Sequence, residues 1–123
     1  MSYDIRLKDK KSGDTLYAKF NPTSREGTYC VSEGGEERPC RFNITYNYAN
    51  HYYRVIDGDK GIRKIYGMTA KDSIPVLSSA IAKLGTDVDT DYWKDTEGNA
   101  REALRGLLDI ALAADPEGVW TGD

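Results

Sequence analysis

Apolar and polar residues alternate at the start of the chain, with Tyr3, Ile5 and Leu7 set against Asp4, Arg6 and Lys8. A period of two places each set on one face of a strand. The turn-forming string Lys11-Ser12-Gly13-Asp14 follows, and Leu16, Ala18 and Phe20 then alternate with Tyr17 and Lys19, which predicts a hairpin. Asn21-Pro22-Thr23-Ser24 interrupts the pattern, residues 28–32 resume it, and Glu33-Gly34-Gly35-Glu36-Glu37 reads as a loop. A fourth strand is predicted from Arg41 to about Tyr48. Alternation there assigns Ile44, Tyr46 and Tyr48 to the core and Asn43, Thr45 and Asn47 to the opposite face.

The period changes in the second half. Ile74, Leu77, Ile81 and Leu84 repeat at helical spacing after a cap at Asp72 or Ser73, and Gly85 offers a stop. Thr96 opens a second helix whose stripe is Ala100, Ala103, Leu104, Leu107, Leu108 and Ala111, ended by Asp115-Pro116-Glu117-Gly118. Strands followed by helices predict a single α+β domain over residues 1–123: an N-terminal antiparallel sheet of about four strands with two C-terminal helices packed on one face. Val119-Trp120 is expected to fold back as an apolar anchor.

Composition narrows the function classes. The formal net charge of −3 supplies no broad basic surface for duplex DNA or an anionic membrane. No apolar run approaches the roughly 20 residues that span a bilayer, and no secretory leader pattern is present, so the expected compartment is the cytoplasm. Cys30 and Cys40 flank the polar loop and could face each other across a hairpin, although thiols are the usual state in a cytosol.

The most distinctive stretch is residues 43–66. Asparagine is disfavoured in strands, so Asn43 and Asn47 in alternation call for a reason: a solvent-facing amide ladder, or a recognition surface. Beyond them His51, Tyr52, Tyr53, Arg54, Arg63, Lys64 and Tyr66 interleave rings with cations, as a stacked base and its phosphate would require, or as a solvated face balancing carboxylates. No phosphate-loop motif surrounds Gly58, Gly61 or Gly67. His51 is the single histidine, and no signature marks an activated nucleophile to accompany it. Asp87, Asp89 and Asp91 open like a calcium loop, but Tyr92 stands where that loop needs glycine and Gly98 where it needs a bidentate glutamate. Loop and capping roles are expected for these aspartates, with no metal or cofactor. Tyr92-Trp93 is expected to form an apolar latch between the helices.

Asn43-Ile44-Thr45-Tyr46-Asn47-Tyr48, Gly61-Ile62-Arg63-Lys64-Ile65-Tyr66-Gly67, Ser73-Ile74-Pro75, Thr96-Glu97-Gly98-Asn99-Ala100 and Gly118-Val119-Trp120-Thr121-Gly122-Asp123 together resemble a group of small uncharacterised proteins of bacterial phages and mobile elements. The resemblance covers most of the chain from Asn43 onward and implies no catalytic or binding residues. It implies a context, because small phage proteins often act by binding a host component, defence systems included. The expected function is a non-enzymatic binding protein, a phage-encoded inhibitor of a bacterial host or defence system, acting on a host protein through the surface of residues 43–66. The alternative is a nucleotide or oligonucleotide sequestering protein in which Tyr52, Tyr53 or Tyr66 stacks and Arg54, Arg63 or Lys64 meets phosphate. A third class is an enzyme built on His51.

Overall fold

A computed structural model describes residues 1–19 and 37–123. Strand β1 (Ser2–Lys8) lies at the centre of a three-stranded antiparallel sheet. Its neighbours are β4 (Arg41–Thr45) on one edge and β5 (Val119–Gly122) on the other. Two short strands, β2 (Tyr17–Lys19) and β3 (Glu37–Pro39), form a separate antiparallel ribbon. Among the described residues there are three α-helices: α1 (Ala49–Val55), α2 (Ala70–Lys83) and α3 (Glu97–Ala113).

The alternation in β1 produces the expected two faces. Tyr3, Ile5 and Leu7 are buried beside Ile44, Phe42 and Trp120 on the neighbouring strands. Helices α2 and α3 close over that face. Ser73 of α2 meets the Trp120 indole, and Gly106 of α3 lies so close to the Phe42 ring that a Cβ would stand 2.5 Å from it. The other face carries Asp4, Arg6, Arg41 and Thr121 and is open.

Several expectations need correction. The predicted hairpin begins as expected, with Asp9 N–H donating to the Asp14 carbonyl at 2.8 Å, but the returning chain leaves β1 after Leu16. Both edges of β1 are already taken by β4 and β5, so β2 pairs with β3 instead. The C-terminal anchor is therefore a sheet strand, and Trp120 is 1% exposed. The predicted strand at residues 28–32, residues 33–36 of the loop after it, and Cys30 lie outside the described residues, while Glu37, expected in that loop, begins β3. Cys40 is buried, which pushes its thiol up to about 11.

The fourth strand ends at Thr45. Its hydroxyl accepts from Asn47 N–H at 3.2 Å, turning the chain into a 3-10 turn over Tyr46–Tyr48 that continues as α1. Tyr48, Tyr52 and Val55 then form a buried helical stripe, giving three helices where two were expected. Helix α2 starts earlier than predicted. Thr69 is the cap, its hydroxyl accepting from Asp72 N–H at 3.1 Å, while Ser73 is fully buried with its hydroxyl donating to the Ala70 carbonyl. Thr96 caps α3 as expected, accepting from Asn99 N–H at 3.0 Å. No described helix is long and apolar enough to cross a membrane.

Candidate functional site

The residues singled out between 43 and 66 divide into two groups on different elements. Asn43 and Asn47 do not converge, because the strand ends between them. The Asn43 amide donates to Ser2 Oγ on β1 at 2.9 Å, whereas Asn47 Nδ2 donates to the Trp93 carbonyl at 2.8 Å. Tyr52 is fully buried, and its hydroxyl donates to the Ala100 carbonyl of α3 at 3.0 Å. Burial pushes its phenol well above the ordinary tyrosine value. A ring in that position supports α3 and cannot stack on a ligand. Tyr53 is half-buried against Gly61, a residue at φ +58. Lys64 lies 3.8 Å from Asp57, apart from both groups.

The first group closes around Arg63. Its Nε stands 3.0 Å from both carboxylate oxygens of Asp123, its Nη2 donates to the Tyr46 hydroxyl at 3.3 Å, and its guanidinium lies over the Tyr3 ring at 4.9 Å. Hydrogen bonding to Asp123 holds the guanidinium firmly charged. The Tyr66 hydroxyl also donates to Asp123, at 3.2 Å, and burial pushes that phenol up. Cation, carboxylate and rings satisfy one another here, tying the 3-10 turn Gly61–Ile65 to β5. The Nε and Nη2 groups of Arg63 are used within the cluster.

The second group surrounds the loop between α2 and α3. The Tyr92 ring is buried against Tyr48, its carbonyl accepts from the Tyr48 hydroxyl, and its own hydroxyl accepts from Thr45 N–H at 3.2 Å. Asn99, fully buried at the start of α3, donates to the Asp91 and Lys94 carbonyls at 3.0 and 2.8 Å and accepts from Asp89 N–H at 3.0 Å. The calcium-like aspartates bind backbone amides: Asp87 accepts from Gly98, Asp89 from Asp91, and Asp91 from Trp93. Glycine is required at Gly98, where a Cβ would stand 2.5 Å from the Asp87 backbone. Among the described residues no cluster of three or more metal-ligating side chains occurs.

These bonds fix the backbone on both sides of Trp93, yet its side chain is 56% exposed. The expected latch is half correct: Tyr92 latches and Trp93 faces outward. Around it stand His51 with Asp95, Arg54 with Glu97, and Lys94 with Asp89. Arg54 Nη2 donates to His51 Nδ1 at 2.9 Å, which leaves the imidazole proton on Nε2, 2.5 Å from Asp95 Oδ1. Both ring nitrogens are thus engaged, and the pair ties α1 to the loop before α3.

Comparisons with protein-family models, with curated proteins and with solved structures return no match. The site must be read from its own geometry. Sequence reasoning missed Trp93, Asp95 and Asp123 as members of these clusters. Trp93 had one available signal: it sits in a polar, aspartate-rich loop with no helical or strand period to bury it.

Proposed function

We propose that the protein is a non-enzymatic binding protein whose partner is another protein, docked on the surface formed by Trp93, Asn47, His51 and Arg54. The observation that carries this reading is the exposed Trp93 ring on a backbone held by Asn47 and Asn99. Tryptophan is the side chain most enriched at energetic centres of interfaces, and an anchor whose backbone is already ordered loses little entropy on binding. Paired charges around an aromatic centre supply the polar rim such interfaces have.

The sequence resemblance to small phage proteins supports a bacterial host protein as the partner and inhibition of a host or defence system as the consequence. Nucleotide sequestration has less support, because Tyr52 is enclosed and Arg63 is committed to Asp123. The test is affinity capture from bacterial host extracts with wild-type and Trp93→Ala baits, both checked for folding. Wild type should recover a stoichiometric protein. The variant should bind it roughly 30-fold more weakly, since truncating an aromatic anchor costs about 2 kcal/mol or more. Equal recovery by both baits, or none by wild type, refutes the reading.

A further inference from the structure

The open face of the sheet carries a feature unrelated to the Trp93 surface. Arg6 on β1 and Arg41 on β4 are direct cross-strand partners, and Thr121 on β5 is the partner of Arg6 on its other side. Side chains directly opposite in an antiparallel pair have Cβ atoms about 5 Å apart, and like charges so placed repel. Arg41 is relieved by Asp4, whose Oδ2 accepts from Nη2 at 2.9 Å. Arg6 is not. Its half-buried guanidinium donates through Nη1 to two neutral oxygens, the Gly13 carbonyl and Thr15 Oγ1, each at 3.1 Å. Among the described residues no carboxylate lies within ion-pair distance of it, and the nearby Asp123 is bound to Arg63 and Tyr66.

Arg6, Arg41, Thr15 and Thr121 line one cleft of about 410 Å³ together with Asp4, Gly122 and Asp123. That volume falls within the range of roughly 300–1,000 Å³ typical of small-molecule sites. Thr15 accepts from Arg6, so its own hydroxyl proton remains available to donate, and Thr121 lines the same cleft. Two arginines and two threonines from separate chain segments therefore line one cleft with the Asp4 and Asp123 carboxylates, and those carboxylates are paired with Arg41 and Arg63, which leaves the Arg6 charge unmatched. An oxyanion seated there would neutralise Arg6, bridge it to Arg41, and remove the cross-strand repulsion. Arginine forks suit both phosphate and carboxylate oxygens.

We propose that this cleft binds the oxyanion group of a small molecule, a phosphate or a carboxylate, between Arg6 and Arg41. The test is a titration of isotope-labelled full-length protein with inorganic phosphate and, separately, with acetate, at ionic strength held constant with sodium chloride. Amide shifts should saturate and concentrate at residues 4–6, 13–15, 41 and 121–122. Arg6→Gln should weaken the affinity at least tenfold. Should that variant fail to fold because the Gly13–Thr15 turn is lost, Arg41→Gln and Thr121→Val take its place, each with a weakening of threefold or more. Lys71→Gln, on the exposed surface of α2, should leave the affinity unchanged. Saturation with phosphate alone identifies a phosphoryl ligand, and saturation with acetate a carboxylate. Shifts that never saturate with either ion, that spread over all basic residues, or that persist undiminished in the cleft variants overturn the proposal.

Discussion

The chain's two tryptophans share one side chain and occupy opposite situations. Trp120 is enclosed on the inner face of the sheet, and its indole N–H donates to Ser73 Oγ at 2.8 Å, so ring and polar tip are both satisfied by the fold. Trp93 is held through its backbone and an edge contact with Tyr92, at 4.9 Å between ring centres. Folding explains the first completely. The second is held in place by a network of buried amides and hydroxyls while most of its apolar surface stays in water. A ring this exposed contributes little to stability, which is the physical reason for proposing that a partner covers it.

The sharpest way to break the contrast is to truncate each ring. Trp120→Ala should cost about 3–5 kcal/mol in chemical denaturation, since it leaves a cavity and strips Ser73 of its donor. A loss below about 1 kcal/mol would mean that β5 is not an integral part of the sheet.

The support beneath Trp93 comes next. Asn99→Ala removes three hydrogen bonds that hold residues 89–94, and leaving buried partners unpaired should cost roughly 1–3 kcal/mol. The same variant should speed amide exchange at Asp91 and Trp93. Unchanged exchange would show that the loop does not depend on Asn99.

Alkaline pH probes the enclosed tyrosines. Tyr52 and Tyr66 both titrate above the ordinary tyrosine value because burial penalises the phenolate. Their raised values contribute stability that is fully present below about pH 10, where unfolded tyrosine titrates. That stability is lost as pH rises further, because only the unfolded chain then releases those protons. Each group should steepen the loss by up to about 1.4 kcal/mol per pH unit. Tyr52→Phe should flatten the slope, and an unaltered slope would contradict the enclosed position of that ring.

The smallest stability effect belongs to Trp93→Ala, expected within about 0.5 kcal/mol of wild type. A larger loss would place the ring in the core and remove the basis for assigning it to an interface.

The sequence carried the α+β class, the faces of β1, the cap of α3 and its apolar stripe, because each rests on local periodicity or capping chemistry. Helix α1 was obscured by a competing pattern. Ile44, Tyr46 and Tyr48 fit a strand, while Tyr48, Tyr52 and Val55 fit a helix, and only the Thr45 side chain decides where one gives way to the other. The ribbon of β2 and β3 was not legible because pairing depends on which edges of β1 are already filled, a long-range fact settled by β5 near residue 120. Which of the two readings of Arg63, a phosphate contact or a cation balancing a carboxylate, is favoured depends on a similarly distant residue. Its carboxylate partner lies 60 residues away in sequence, beyond the reach of local pattern. Composition located the rings, but their satisfaction by distant partners determined which of them stayed open.

In the proposed interface Trp93, and not the Arg63 cluster, meets the partner. A photo-crosslinking aromatic amino acid placed at position 93 in one sample and position 66 in another, irradiated in bacterial host extract, tests it directly. A covalent adduct of discrete mass from position 93, with none from position 66, is the predicted result. An adduct from position 66 alone would contradict the claim and return the interface to the tyrosines and cations of the Arg63 cluster.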